Sequence, residues 1–446
     1  MVNRVELKSM VATGAVTLAV TLWGGVPSVR ADGAVTSDAV VAAEGEDSAR
    51  STDDAGTGAA VQPAESTAPA ALAPAKFQIH GFLTQAYATA DFTDGGPNSD
   101  EIALGIPEEG TSDYRFLALQ FRYQISPEDL MVVQLSSRAL GDSPIELVED
   151  EIELDWAFYE RKLTNNTSIK VGRIQIPLGI YNEIRDVGTI LPFYRPPYTF
   201  YREGTFTSET VDGLLLAHTL WPSSDWSLET NFYGGEWDLI ELSVFDPREP
   251  PKIAHTEDSF GTQLWLNTPV NGLRLGAGFQ RRNITEGQEG VFRREGEKSR
   301  LDDYFFSLDG NFDRFMVRAE WRKFGGPFVS PQLGFTSRGF NENYYLQVGF
   351  RLNDKFDIYA QSEFAGVKNH SDFFLADSEI DFLTDDGFSL VYSFASNIVL
   401  KAEYHWYDGE ISGFRPVMTP EGLRLQPFVV EFNDGTYSIV SLAVSF

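Results

Sequence analysis

The chain of 446 residues contains no cysteine. Disulfide frameworks, cysteine-ligated zinc and thiol nucleophiles are therefore excluded, and an oxidising compartment poses no hazard. Basic residues are scarce, 35 against 65 acidic ones, for a formal charge of −30. With no concentrated basic face, nothing offsets phosphate repulsion, which argues against nucleic acid as a partner. Past the N-terminal region, no apolar run reaches the ~18 residues of a spanning helix. If the chain crosses a membrane, strands must do the crossing. Histidine is rare too (His80, His218, His255, His370 and His405), and neither a Gly-x-Ser-x-Gly elbow nor a His-Glu-x-x-His pair occurs. No catalysis and no cofactor are expected, and the acidic stretches match no EF-hand spacing, so no metal site is expected either.

What is present begins with a leader. Arg4 and Lys8 precede the apolar run Met10 to Val20, which extends to Trp23 and Val26, and "SVRAD" follows with short side chains at Val29 and Ala31. This is the pattern of an export signal cut after Ala31, so residues 1–31 are read as a signal peptide. Residues 32–75 shift to Ala, Thr, Ser, Asp, Glu, Gly and Pro, almost without aromatics. Such a segment cannot bury enough apolar surface to offset its ordering entropy and is read as a disordered linker.

From residue 76 to 446 the pattern has period two. "RFLALQFRYQI" sets Leu117, Leu119, Phe121, Tyr123 and Ile125 against Phe116, Ala118, Gln120, Arg122 and Gln124. "DRFMVRAEWRKF" sets Phe315, Val317, Ala319 and Trp321 against Met316, Arg318, Glu320 and Arg322, and "NIVLKAEYHWY" behaves in the same way. Short turns ("SPED", "TNNT", "PSSD", "TPVNG", "NFD", "NDK" and "SN") alternate with longer, mostly acidic connections such as "DGGPNSDE" (Asp94 to Glu101) and "DFLTDDG" (Asp381 to Gly387). Counting them predicts an all-β transmembrane antiparallel β-barrel of about 16 strands, with both ends on the short-turn side as in bacterial outer-membrane barrels. A barrel of that size leaves an aqueous channel, with the apolar face to lipid and the charged face to water. Tyr123, Trp221, Trp226, Tyr404 and Trp406 suit the interfacial girdles. The last strand, "YSIVSLAVSF", ends on Phe446, which looks like the signal read by the barrel-assembly machinery.

"VGRIQIPLGIYNEIRDVGTILPFYRPP", Val171 to Pro197, resembles the segment after the fifth strand in porins of the phosphate-selective porin-like superfamily, where Gly-Arg, Pro-x-Gly, Tyr-Asn and Arg-Asp recur. The resemblance implies a trimeric diffusion channel of the bacterial outer membrane, in contact with lipid and lipopolysaccharide and passing small hydrophilic solutes. It also implies that the third long loop folds into the barrel and narrows it. That loop contains "PFYRPPYTFYREG", whose prolines forbid a regular element and whose rings demand a protected place. Folded inward, it would turn Glu183, Arg185, Asp186, Arg195, Tyr198, Arg202 and Glu203 to the constriction. Phosphate-selective members have channels heavily lined with arginine and lysine, and the acidic balance of this chain departs from them.

By alternation, the lumen-facing cations are Arg122, Arg138, Arg161, Arg274, Arg282, Arg318, Arg322, Arg351 and Lys401. The acids include Glu153, Asp155, Glu229, Glu320, Asp357, Glu363 and Glu403. Opposed rows of this kind set a transverse field that orients polar solutes. Tyr194, Tyr198 and Tyr201 offer a stacking track for sugars. In "IKVGRIQI" strict alternation puts Lys170 and Arg173 on opposite faces, which a bulge near Gly172 would cure. The rival expectation is a blocked surface barrel, acting as an adhesin or receptor through its acidic loops.

Overall fold

The computed structural model describes residues 76–92, 104–143, 152–201, 209–241, 252–284, 299–330, 335–370, 378–420 and 422–446. The leader, the linker, Arg202 and Glu203 lie outside them. Sixteen strands follow in order: β1 (Phe77–Phe92), β2 (Thr111–Gln124), β3 (Asp129–Leu140), β4 (Glu153–Thr164), β5 (Thr167–Gln175), β6 (Thr210–Leu220), β7 (Ser227–Glu241) and β8 (Lys252–Asn267) make the first half. The second half is β9 (Leu273–Ile284), β10 (Ser299–Asn311), β11 (Phe315–Ser330), β12 (Phe335–Asn353), β13 (Phe356–His370), β14 (Ser378–Ala395), β15 (Ile398–Thr419) and β16 (Gly422–Ser445). A short helix, α1 (Tyr198–Tyr201), sits in the connection between β5 and β6. Each strand pairs antiparallel with its sequence neighbours and β1 pairs with β16, closing the barrel. The seam is fastened at one end, where the Gly81 and Phe446 amides each donate to the other's carbonyl at 2.9 and 3.0 Å.

All seven short turns fall where the period breaks. The burial pattern is inverted relative to a soluble protein: Phe306 is 59% exposed on the outer face of β10, while Arg322 on the inner face of β11 is fully buried. An apolar exterior around a polar interior is what a barrel in lipid requires, because every backbone group is paired and no charge need face hydrocarbon. Tyr123, Trp221, Trp226, Tyr404 and Trp406 are all exposed, as girdle residues should be.

Three sequence expectations need correction. First, Arg161 lies on the outer face rather than in the lumen. Gln134 pairs with Trp156 and Leu135 with Leu154, so Asp155 is an extra, bulged residue. The bulge shifts the parity of the rest of β4 and turns Arg161 toward Asp129 at 3.3 Å. Second, β5 carries no bulge at Gly172: its pairing with β4 and β6 runs unbroken through that residue. Lys170 points inward over the Phe158 ring at 5.1 Å, and Arg173 is outside, neutralised by a two-pronged pair with Asp212 at 2.8 and 2.9 Å. Third, "DFLTDDG" is strand rather than a connection between strands. It belongs to β14, where Asp385 faces inward and accepts from Tyr437 and pairs with His405 at 3.0 Å.

Strands β12 to β16 also outgrow the expected pattern. β14 pairs with β15 only up to Gly409 and β1 with β16 only up to Gly435, but β15 and β16 stay paired with each other out to Thr419 and Gly422. Beyond the barrel, residues 410–419 and 422–434 therefore form a two-stranded ribbon.

Aromatic rings cover glycines along the inner wall. A Cβ added at Gly278 would lie 2.0 Å from Cζ of Phe305, its cross-strand partner. Such pairs fill the gap that a missing side chain leaves in a strand. Replacing Gly278 with valine is expected to destabilise the barrel by about 1–3 kcal/mol, the usual cost of overpacking. The check is the temperature at which the compact, heat-modifiable gel band converts to the unfolded one. An unchanged temperature would show that Phe305 yields freely.

Candidate functional site

Among the described residues, the connection between β5 and β6 is the most buried stretch outside the strands. Among residues 176–201 only Glu183 and Ile190 are exposed. All five rings of "PFYRPPYTFYREG" are buried: Phe193, Tyr194, Tyr198, Phe200 and Tyr201. Phe200 and Tyr201 pack with Ile176, Leu178, Ile180 and Tyr181 against inward-facing Leu215, Trp237, Trp265, Phe305 and Tyr345, while Tyr194 and Tyr198 join a second cluster with Tyr114, Tyr407 and Tyr437, and Phe193 meets the His405 ring. This also fixes the register of the nearly apolar β6: Val211 and Leu215 meet the connection, while Leu214 and Leu216 face outward.

Polar wall residues take the main-chain groups that the prolines and tight turns leave without ladder partners. Gln263 donates to the Gly179 carbonyl at 3.1 Å, Ser389 to Pro192 at 2.9 Å and Lys401 to Phe193 at 2.7 Å. Asn343 and Arg322 donate to the carbonyls of Thr199 and Phe200, each at 2.5 Å. Glu363 accepts from the Thr199 amide and hydroxyl at 2.7 and 2.8 Å, and Glu320 accepts from the Ile180 amide at 3.0 Å. Tyr201 also donates to Glu320, and its hydroxyl accepts from the amides of Ile180 and Tyr181 at 2.7 and 2.9 Å. Tyr194, Tyr198 and Tyr201 are all buried, so they form no open track for a sugar.

On the opposite side the connection reaches β16 and β1 to β4. Tyr194 meets Tyr114 of β2 with ring centroids 5.0 Å apart, and the Thr189 hydroxyl donates to that of Ser445 at 3.4 Å. Asp186 and Asp155 share one donor, the Gln134 amide, at 3.0 Å from each carboxylate. Burial, followed by the neighbouring Asp155, raises the Asp186 carboxyl well above its ordinary range. Beside it, burial pushes Glu209 upward, but the guanidinium groups of Arg185 and Arg138 outweigh it and hold that carboxyl below the usual range. Each of the two arginines pairs with Glu209 at 3.3 Å. Arg138, Arg185, Asp186 and Arg195 line one cavity with Thr84, Tyr194 and Pro196.

The charged residues read from alternation therefore divide. Arg282 and Arg322 clamp Asp303 at 3.5 and 2.6 Å, and with Glu320, Lys401 and Glu403 they are buried rather than open lining; of these, Arg322, Glu320 and Lys401 hold the connection. Arg274 and Arg318 flank Asp309, both at 2.9 Å, and Arg318 donates to Tyr181 at 2.9 Å. Arg351 stays exposed beside Asp357 at 3.5 Å, while Arg122 and Glu153 lie half-buried on the inner face. Glu183 faces open space, and Arg185, Asp186, Arg195 and Tyr198 pack within the connection. The uncharged anchors Gln134, Gln263, Asn343 and Ser389 had no signal in the sequence beyond being polar at inward positions.

No family model matches the chain, and no curated protein does. Solved structures match it. OmpF of Salmonella typhi, in a complex with daunomycin, is similar with a TM-score of 0.52 at 11% identity, over 83% of this chain and 97% of that one. This is a porin fold. The anion-selective porin from Comamonas acidovorans (TM-score 0.49, 11% identity, 83% of this chain and 99% of that one) is also similar. So is the outer membrane channel DcaP of Acinetobacter baumannii (TM-score 0.47, 12% identity, 83% and 97%). Within the porin fold, the β5–β6 connection is where geometry and charge concentrate.

Proposed function

We propose that the chain is a porin of the bacterial outer membrane through which small hydrophilic solutes or ions diffuse passively, with the β5–β6 connection as its constriction. One observation carries this reading: inside an apolar exterior, the connection is seated on a charged inner wall by its own main-chain groups. A constriction held in this way is rigid on the β8–β15 side and lighter on the β1–β4 side, where Arg138, Arg185 and Asp186 meet. Passage belongs to that lighter side, between the connection and β1–β3. The leader cut after Ala31, assembly through Phe446, the homotrimer and the kinship to phosphate-selective porins belong to the same reading. No chemistry is assigned to it.

The blocked surface barrel keeps one supporting observation. The connection touches the wall on both sides, with Tyr194 on β2 and Phe193 on β15. Single-channel recording of the refolded protein in a planar bilayer under a salt gradient separates the two. Discrete current steps are expected, enlarged when Leu191–Gly204 is deleted. A silent bilayer from verified folded barrels, with or without the deletion, would leave only the blocked barrel.

A further inference from the structure

The basic groups of the inner wall are matched unevenly. On β9–β13, Arg274 and Arg318 share Asp309, each at 2.9 Å, and Arg351 lies 3.5 Å from Asp357. On the other side, three inward cations form no ion pair among the described residues: Arg122 of β2, Lys162 of β4 and Lys170 of β5. Lys170 comes nearest to one. Glu160 is its cross-strand partner, yet the ammonium lies over the Phe158 ring at 5.1 Å instead.

Between the short turns and Gln134, Glu160 is the one acid at an inward position of β1–β5, so the sector stays cationic even with Glu160 counted in full. Register spreads its charges. Arg122 pairs with Val132, Val132 with Phe158 and Phe158 with Gly172, two residues from Lys170. Three strand spacings put Arg122 and Lys170 ~14 Å apart, too far to close on one small anion together. Beside Arg122 lie neutral polar groups. Gln78 is its cross-strand partner, and Gln120 donates to Gln134 at 3.2 Å. Opposite Gln120, Nε2 of His80 is buried and has no hydrogen-bond partner among the described residues.

We infer that this wall passes small monoanions that also carry hydroxyl groups, the class of the sugar acids, and that the channel prefers anions although the chain has a formal charge of −30. Charge at the lumen surface, not on the whole chain, decides which ion enters. Arg122 and Lys170 are half-buried, so salt screens them less than it screens the acidic outer connections. A dianion such as phosphate calls for cations that converge on it with several charge-assisted bonds. A carboxylate is satisfied by one cation at a time and can be handed along a spaced row, while its hydroxyls exchange hydrogen bonds with Gln78, His80 and Gln120. The inference rests on the porin reading above and names its solute class.

The test is bilayer recording of the refolded protein at a single pH. In a potassium chloride gradient the reversal potential is expected to take the sign of chloride passage. Gluconate added to open channels should block the current at a concentration at least about tenfold below that needed with inorganic phosphate or neutral glucose. In R122Q/K162Q/K170Q the reversal potential should move toward cation passage, and half-block by gluconate should need about tenfold more, the loss of one charge-assisted contact. The control K323Q, on the outer face with its ammonium over the Phe340 ring at 4.9 Å, should behave as the wild type does. A reversal potential of cation sign, phosphate blocking as well as gluconate, or unchanged selectivity and block in a triple variant that still migrates as a folded barrel would each overturn the inference. The first two results use the unmodified protein, so they decide the matter even if the triple variant fails to fold. A silent bilayer from folded barrels would instead remove the porin reading itself.

Discussion

Replacing Arg322 with methionine is expected to destabilise the barrel by about 3–5 kcal/mol, the cost of breaking one side of a buried ion pair, and to enlarge the single-channel current. Arg322 is fully buried and does three things at once. Its Nε lies 3.1 Å from both Asp303 oxygens, its Nη2 lies 2.6 Å from Oδ2, and its Nη1 holds the Phe200 carbonyl at 2.5 Å. It also spreads over the Phe200 and Phe324 rings at 5.7 and 4.8 Å. Methionine keeps much of the volume but leaves Asp303 to Gln280 at 2.6 Å and Arg282 at 3.5 Å, and it leaves the Phe200 carbonyl without this donor. Lysine in the same place supplies a charge without the planar fork and is expected to fall between the two. Thermal conversion of the folded gel band measures the stability, and bilayer recording measures the current. If the variant melts with the wild type and conducts the same current, the anchoring role of Arg322 is wrong.

Raising the pH is expected to loosen the connection on its β1–β4 side, and Asp186→Asn is expected to remove that dependence. Asp186 and Asp155 share a single amide donor, and burial together with Asp155 raises the Asp186 carboxyl well above its ordinary range. A raised acid in the docked state means that docking holds a proton. The stabilisation is fully present at low pH and is lost as pH climbs from the ordinary carboxylate value through the raised one. Around the pair, Arg138 and Arg185 oppose the rise, while Glu209, held ionised by those same arginines, reinforces it. Wild-type channels should therefore become noisier or larger as pH rises above about 4, the ordinary carboxylate value. Those of D186N should stay at their low-pH level throughout. Identical pH profiles for the two proteins would remove Asp186 from any role in holding the segment.

Much of the barrel was legible because period two is a local property. β2, β11 and β15 each declare both faces within about ten residues, and the short turns fix where the faces restart. Parity failed where a single residue upset it without a marker. Asp155 bulges with neither glycine nor proline beside it, and every position after it in β4, Arg161 included, changes face. Gly172, which looked like a bulge, stays in register, and Asp212 from the next strand neutralises the stray Arg173. Asp385 fell within a stretch read as a connection, because its partners, His405 and Tyr437, lie far along the chain. The buried connection was legible from its prolines and rings. Its anchors were not, since Gln263, Asn343 and Ser389 bond main-chain carbonyls whose positions only the closed barrel defines.

The paired extension of β15 and β16 raises a separate matter. Among the described residues, neither β14 nor β1 pairs with it above Gly409 and Gly435, so within them both of its margins carry main-chain donors and acceptors without a ladder neighbour. Margins of that kind template the addition of a further strand, and in a crowded membrane the nearest candidate is the same ribbon on another molecule. Pro416 and Pro427 each delete one donor, one on each arm. An incoming strand meets an interrupted row on either side, and the ribbon can stand clear of the barrel without seeding a stack.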